Sequence, residues 1–274
     1  MARKSYRVRF QGGVGFTLAG IVDRPDDQID APVAVFSHCF TCNKDLKAIV
    51  RISRALADHG IAVLRYDMTG LGGSDGKFSE TNFSTNLADL KSAVHYANAQ
   101  IGPVTSLIGH SFGGAVSLAF AGQPLESEND DHANLKALIT LAAPSDTTHL
   151  ATLLTRFDPN IELTGSGQVT IGGTDWDIDQ QMLDDFRRHD LPHMITQIKA
   201  ATLLFHSPSD ATVSFDHALR IIGLIQNSPV NDKLPSLISL HNADHLLVDP
   251  PENIQFVADT TAAFLQRYAR PGSN

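Results

Sequence analysis

The sequence alternates between short apolar runs and longer stretches with helical periodicity, and this alternation constrains the fold more than any other feature. A β-branched run at 33–37 precedes a helical stretch at 44–60. Apolar residues recur on one face of this stretch, and a glycine stands at its end. Strands that alternate with helices in this way are typical of a mostly parallel sheet with helices on both faces. The chain therefore predicts an α/β fold with eight strands, at 5–10, 16–22, 33–37, 61–67, 103–109, 135–144, 201–207 and 234–240, and with core helices at 44–60, 84–99, 112–122, 215–226 and 254–268.

The alternation is interrupted after Pro144 and resumes near residue 198. The intervening residues are polar and include a partly helical, partly hairpin-like segment at 165–186. We predict a core formed by 1–144 and 198–274, with 145–197 inserted as a small cap. Because the insertion lies between two strands of the sheet, we expect it over the carboxyl ends of the strands, where open α/β sheets bind ligands.

The motif Gly109-His110-Ser111-Phe112-Gly113 follows an apolar strand and leads into a helix. A G-x-S-x-G motif between a strand and a helix is typical of a nucleophile elbow, a tight turn that exposes the serine hydroxyl above the sheet. Glycines on both sides avoid clashes in so tight a turn. The alternative is a glycine-rich turn in which the serine merely caps the helix. The sequence thus predicts Ser111 as a nucleophile.

A serine hydroxyl needs a base, and the base needs an orienting acid. His245 follows the strand at 234–240, and Asp210 follows the strand at 201–207, so both are expected at the same sheet edge as Ser111. We predict His245 as the base among 12 histidines and Asp210 as the acid. The competing carboxylates are Asp244, which adjoins the histidine, and Asp175 and Asp177 in the insertion.

The chain resembles an α/β-hydrolase over essentially its full length. Several stretches resemble bacterial serine hydrolases that often occur fused to an osmotically-inducible-protein-C-like peroxidase domain, and the insertion resembles the small cap of bacterial cinnamoyl (feruloyl) esterases. The resemblance implies the chain order serine, acid, histidine, and mostly carboxylesterase activity. Because the chain ends with the helix at 254–268, we expect the peroxidase-like domain to be absent. The stretches that carry the resemblance are 38–76, 109–114, 186–192 and 206–213, with the GQVTIGG segment at 167–173.

The same resemblance implies an oxyanion hole, built from the amide of the residue after the nucleophile and an amide of the loop after the third strand. These donors are predicted to be Phe112 and Phe40, with Cys39 as the alternative donor because it stands where family members usually have glycine. Cys39, His110 and Trp176 are predicted to line the substrate pocket.

Composition excludes several classes of protein. The net charge of −9 argues against nucleic-acid binding and against docking on an anionic membrane. No apolar run approaches the roughly 20 residues of a membrane span, and no apolar segment at the N-terminus indicates a signal peptide. The expected partner is a small ester substrate, with neither nucleic acid nor membrane, and a homodimer is left open.

The two cysteines, Cys39 and Cys42, form a C-x-x-C motif in the loop after the third strand. We expect two reduced, buried thiols in a cytoplasmic protein, with a redox role as the alternative. His241 and His245 have the spacing of a zinc-binding pair but lack the accompanying glutamate, so neither a metal nor another cofactor is expected.

These features predict a serine carboxylesterase that hydrolyses small soluble esters, with short acyl or compact aryl groups, through an acyl-serine intermediate. A thioesterase, a peptidase or a cofactor-free perhydrolase would use the same three residues. Enzymes that need an aspartate nucleophile, such as dehalogenases and epoxide hydrolases, are excluded by Ser111. A non-catalytic binding protein on the same scaffold is the alternative from a different class.

Overall fold

The computed structural model describes residues 2–26, 31–125, 127, 130–230 and 232–269. The strands are β1 (Arg3–Gln11), β2 (Thr17–Pro25), β3 (Val33–Ser37), β4 (Ala62–Tyr66), β5 (Val104–His110), β6 (Ala137–Leu141), β7 (Ser166–Ile171), β8 (Thr174–Asp179), β9 (Ala201–His206) and β10 (Ser236–Ser239). The helices are α1 (Lys47–Asp58), α2 (Phe83–Gln100), α3 (Phe112–Ala121), α4 (Thr148–Phe157), α5 (Asn160–Thr164), α6 (Gln180–Arg188), α7 (Leu191–Thr196), α8 (Asp216–Gln226) and α9 (Glu252–Tyr268), with a short 3₁₀ helix, η1 (Phe78–Glu80).

Eight strands form one sheet in the order β1-β2-β4-β3-β5-β6-β9-β10. Only the β1–β2 and β2–β4 pairs are antiparallel, and all the other neighbours run parallel. Successive side chains of a strand point to opposite faces of the sheet, and the central strands are buried at every position. Both faces are therefore covered by helices. In β5, Leu107 packs in the core beneath α2 and α3, while Ile108 packs in the core beneath α1 and α9. The predicted α/β fold with a mostly parallel eight-stranded sheet is confirmed.

One predicted helix begins later than expected. The sequence pattern predicts a helix from residue 44, but α1 begins at Lys47. The amide of Lys44 donates to Asp67 Oδ1 at 2.6 Å, and the amide of Asp45 donates to Asn43 Oδ1 at 2.9 Å. These bonds hold residues 43–45 in a loop, because side-chain acceptors compete with the helical hydrogen-bond pattern.

Between β6 and β9 the chain forms α4, α5, the antiparallel β7–β8 hairpin, α6 and α7. The hairpin lies where the sequence shows the GQVTIGG segment, and Gly172 and Gly173 at its tip both have positive φ, of 60° and 79°. A tight hairpin turn with positive φ at both central positions favours glycine. In the described part of the chain, no helix combines the length and apolar character needed to cross a membrane.

Candidate active site

The turn between β5 and α3 places Ser111 at the first bend above the sheet. Its φ of 53° and ψ of −118° lie outside the regions that side-chain-bearing residues normally adopt. The serine amide donates to Leu141 O at 2.7 Å, which ties the turn to the end of β6. A Cβ at Gly109 would lie 2.4 Å from Gly113 O, and one at Gly113 would lie 2.4 Å from the carbonyl oxygens of both Ser37 and His38. Both glycines are therefore required sterically, and the loop after β3 lies directly against the start of α3.

Ser111, His245 and Asp210 form a continuous hydrogen-bonded chain. His245 Nε2 lies 2.8 Å from Ser111 Oγ, and His245 Nδ1 lies 2.7 Å from Asp210 Oδ2. An ionised carboxylate only accepts hydrogen bonds, so Nδ1 carries the proton and donates, and Nε2 is left to accept from the serine hydroxyl. The three side chains come from the loops after β5, β9 and β10, so the carboxyl ends of parallel strands bring them together, as the sequence predicts.

Asp210 is held as an anion. Its side chain is 1% exposed, and Oδ1 accepts from the amides of Thr212 at 2.8 Å and Val213 at 3.0 Å. Burial by itself would raise the pKa of Asp210. The hydrogen bond and charge of His245, together with the two amides, outweigh burial and bring the pKa below its ordinary value. The carboxylate is therefore ionised at neutral pH and fixes the orientation of the imidazole.

Two further histidines support the loops that carry these residues, a role that no sequence pattern indicates for either. His206 Nε2 donates to Val213 O at 2.8 Å, which fixes the turn that presents Asp210. His110 Nε2 donates to His245 O at 2.7 Å. Burial and the nearby charge of His245 lower the pKa of His110 to about 3, so its ring is neutral. His110 is 1% exposed and supports the His245 loop, and its predicted place at the substrate pocket stays a prediction.

The prediction of two reduced thiols is wrong, because Cys39 and Cys42 form a disulfide with a Cα–Cα distance of 5.2 Å. The amide of Cys42 donates to Cys39 O at 3.2 Å, so the chain reverses between the two residues and brings their sulfurs together. Cys39 is 2% exposed and its sulfur is committed to this bond, and its predicted place at the substrate pocket stays a prediction. The C-x-x-C spacing is compatible with both states, so it does not by itself distinguish a disulfide from two thiols.

The amide of Phe40 lies in the loop after β3, and the amide of Phe112 is the first of helix α3, whose start packs against that loop at Gly113. Within the described residues, neither amide donates a hydrogen bond to a protein acceptor. The rings of Phe40 and Phe112 are in edge contact, with centroids 5.4 Å apart. Amides without a protein acceptor are what an oxyanion hole requires, and the assignment of these two amides to one stays a prediction.

Aromatic side chains join the segment between β6 and β9 to the loop after β3. Trp176 of β8 packs against Phe78 of η1 at a centroid distance of 4.8 Å, and Phe78 packs against Phe40 at 5.2 Å. Phe186 of α6 lies 6.2 Å from Phe40 and 5.7 Å from Phe112. The indole Nε1 of Trp176 is buried and has no hydrogen-bond partner among the described residues. Phe78 thus lies between Trp176 and Phe40. The prediction that Trp176 lines the substrate pocket stays a prediction.

Over the described residues, no group of three or more histidine, cysteine, aspartate or glutamate side chains has an arrangement that could hold a metal ion. His241 and His245 have the spacing of a zinc-binding pair, but both ring nitrogens of His245 form other hydrogen bonds, one with Ser111 and one with Asp210.

The sheet order, the flanking helices and the elbow at Ser111 define an α/β-hydrolase fold. The chain belongs to the hydrolase family described as Serine aminopeptidase, S33, which matches residues 42–259. A search of curated proteins finds no match.

Solved structures with the same fold include several esterases. The esterase domain of a Rhodothermus marinus protein is 35% identical, covers 98% of this chain and 100% of its own, and superposes with a TM-score of 0.73. Est1E from Butyrivibrio proteoclasticus, with ferulic acid bound, is 20% identical, covers 92% of this chain and 96% of its own, and has a TM-score of 0.76. The α/β-hydrolase GrgF from Penicillium sp. sh18 is 19% identical, with coverage of 98% and 99% and a TM-score of 0.74. The last two likenesses show the fold alone, whereas the first supports a hydrolase of the esterase kind.

Proposed function

We propose that this protein is a serine carboxylesterase that hydrolyses small soluble esters, with short acyl or compact aryl groups, through an acyl-serine intermediate. The observation that carries the proposal is the hydrogen-bonded chain from Ser111 Oγ through His245 to Asp210, at 2.8 Å and 2.7 Å, on a nucleophile elbow. The similarity to an esterase domain that spans 98% of this chain adds support.

The mechanism follows from the proton positions. His245 Nε2 accepts the hydroxyl proton as Ser111 Oγ attacks the ester carbonyl carbon, and the resulting oxyanion accepts hydrogen bonds from the amides of Phe40 and Phe112. His245 then donates this proton to the leaving alcohol, which departs and leaves an acyl-serine ester. Water, deprotonated by the same Nε2, attacks the acyl carbon and regenerates Ser111 with release of the acid. Asp210 remains ionised and stabilises the imidazolium throughout.

The test compares Ser111→Ala with Ser145→Ala in hydrolysis of p-nitrophenyl acetate and in labelling by a fluorophosphonate probe. Ser145 is a matched control because its Oγ also lies close to a histidine, 2.9 Å from His217 Nδ1. Loss of a triad serine costs on the order of 10⁶ in turnover, so Ser111→Ala should lose both activity and labelling while Ser145→Ala keeps both. His245→Ala should be nearly as damaging, and Asp210→Asn less so because Asp210 acts by orientation. Activity of Ser111→Ala within tenfold of wild type would overturn the proposal.

The family description favours one second candidate, a peptidase that uses the same residues. Esters and amides with an identical acyl group separate the two functions, because amide hydrolysis demands protonation of a much poorer leaving group. An esterase should cleave alanine p-nitrophenyl ester but leave alanine p-nitroanilide nearly untouched. Comparable kcat/KM on both compounds would favour the peptidase.

A further inference from the structure

The disulfide between Cys39 and Cys42 closes a ring around the residue whose amide is assigned to the oxyanion. Residues 39–42, which we term the oxyanion turn, carry one internal hydrogen bond, from the Cys42 amide to Cys39 O at 3.2 Å. Thr41 within the turn has a φ of 58°, a conformation that β-branched residues rarely adopt. The surroundings must hold such a residue in place, and the disulfide joins the two ends of the segment that contains it.

The orientation of the Phe40 amide is set by the carbonyl of the same peptide group. A trans peptide is planar, so its N–H and C=O point in opposite directions. Cys39 O accepts from the Cys42 amide and from His38 Nδ1, the latter at 2.8 Å. His38 is itself fixed, because its Nε2 accepts from the Met68 amide at 3.0 Å. With the carbonyl anchored on one side, the Phe40 N–H is directed to the other, where no described residue accepts it.

The two cysteine residues differ in exposure. Cys39 is 2% exposed, whereas Cys42 is half-buried and borders solvent next to the exposed Asn43. These are the only two cysteines in the sequence, so the pair cannot exchange with another cysteine of this chain. Thiol–disulfide exchange requires a thiolate to reach one of the sulfurs, and Cys42 is the more exposed of the two residues.

We propose that the Cys39–Cys42 disulfide is a redox site, and that its reduction by a dithiol loosens the oxyanion turn and lowers kcat. One thiolate of the reductant attacks Cys42 Sγ and forms a mixed disulfide, and the Cys39 thiolate leaves and takes up a proton. The second thiol of the reductant then displaces Cys42 as a thiol. Two electrons and two protons pass to the protein, and the reductant leaves as its own disulfide.

Reduction removes the covalent tie that keeps the Cys42 amide on Cys39 O and leaves His38 as the remaining anchor of that carbonyl, so the Phe40 amide is held less firmly in its direction. This consequence rests on the proposed esterase function. Loss of an entire oxyanion donor costs about 10²–10³ in kcat, so a donor that is present but loosened should cost roughly tenfold. Ground-state binding does not depend on this amide, so KM should change little. Cys39, Cys42 and His38 are positioning residues in this scheme.

The experiment measures kcat and KM for p-nitrophenyl acetate before and after treatment with dithiothreitol, with free thiols counted by maleimide labelling and mass spectrometry. We expect two titrated thiols, a kcat lowered about tenfold with KM nearly constant, and recovery of kcat after reoxidation with diamide. Cys42→Ser is the matched variant: it should have the kcat of the reduced protein and should not respond to dithiothreitol. If this variant does not fold, the comparison of oxidised and reduced wild type still decides the matter.

Two results would overturn the inference. The first is a protein with two titrated thiols whose kcat stays within twofold of the oxidised form. The second is a disulfide that excess dithiothreitol fails to reduce in the folded protein. Failure of the proposed esterase function gives a different result from failure of the redox inference. In that case the oxidised protein would neither hydrolyse the ester nor react with a fluorophosphonate at Ser111.

Discussion

His110 lies beneath the proposed catalytic histidine and holds its loop. Its Nε2 donates to the carbonyl of His245 at 2.7 Å, and its ring is buried and neutral. We predict that His110→Leu lowers kcat by roughly 10–100-fold, because small displacements of a catalytic group have effects of that size. His110→Gln is the matched variant, since its side-chain amide can donate to the same carbonyl. Steady-state kinetics should show substantial recovery in His110→Gln, and equal losses in both variants would contradict a role through this hydrogen bond.

At the scale of single residues, the sequence predicted the positions that follow from topology. Ser111, Asp210 and His245 each follow a parallel strand, and parallel strands present their carboxyl ends at one edge, so their proximity could be expected. The bond between Cys39 and Cys42 could not be deduced, because two thiols and a disulfide share the same spacing. The role of His110 was hidden for another reason: it depends on where the His245 carbonyl points, which no sequence pattern records.

The start of α3 depends on a close approach between elements. A Cβ at Gly113 would lie 2.4 Å from two backbone carbonyl oxygens of the loop after β3, and backbone cannot move aside as a side chain can. We predict that Gly113→Ala lowers the free energy of unfolding by about 3 kcal/mol and removes esterase activity. Gly223→Ala in α8 is the control, because no atom lies within 4 Å of its Cβ position. Urea unfolding should show this second variant to be more stable than wild type by ~0.5–1 kcal/mol, the helix preference for alanine.

Helix α2 carries a buried acid, Asp89, whose Oδ2 accepts from the Thr69 amide at 2.8 Å. Burial raises its pKa to about 6, despite hydrogen bonds from the Thr69 and Gly13 amides that act in the opposite direction. The folded protein therefore binds this proton more tightly than the unfolded chain does. The stability contributed by the protonated acid is present at about pH 4 and is lost as pH rises towards 6 and above.

Asp89→Asn isolates this effect, because asparagine keeps an acceptor for Thr69 but does not ionise. We predict that the variant gains stability relative to wild type as pH rises from 4 to 8, by roughly 2–3 kcal/mol across that range. Chemical denaturation of both proteins at several pH values measures the difference. A difference that is constant with pH would show that Asp89 does not titrate as inferred.

At the scale of elements, periodicity predicted the strands and core helices well, because each alternates or repeats according to the face that it buries. The ends of elements were harder to predict. Asp67, 20 or more residues away in sequence, captures the Lys44 amide and delays α1, and such a contact exists only once the sheet has formed. The hairpin of the insertion was visible from its two glycines, whereas its packing on η1 was not.

Over the whole molecule, the insertion is tied firmly to the core. The Asp185 carboxylate accepts from the Ser84 amide at 2.9 Å and from Ser84 Oγ at 2.7 Å, which joins α6 to α2. Asn82 Nδ2 donates to Gln181 Oε1 at 2.7 Å, and Trp176 packs against Phe78. A segment held by polar and aromatic contacts to several core elements does not have the character of a lid that opens at an oil–water boundary.

The insertion should therefore restrict the charge of the substrate and the length of its acyl chain. The hairpin carboxylates Asp175 and Asp177 are exposed and accept hydrogen bonds from Thr170 and Gln168, so they add negative charge to a chain of net charge −9. Anionic esters should be disfavoured. A long acyl chain gains about 0.8 kcal/mol for each buried methylene only where a groove exists to bury it. Phe40, Phe78 and Trp176 form a series of ring contacts between the insertion and the loop after β3, and we expect these contacts to leave little room for such a groove.

We predict that kcat/KM is greatest for acyl groups of roughly two to six carbons, because longer chains would leave methylenes in water and gain no binding energy. The measurement is kcat/KM for acetate, butyrate, octanoate and palmitate esters of p-nitrophenol, each followed to concentrations above its solubility limit. Trp176→Ala is the matched variant: opening the contact with Phe78 should shift the preference towards octanoate. A wild-type maximum at octanoate or beyond, or a jump in rate when the substrate forms a separate phase, would contradict a fixed cap that closes the site to long chains.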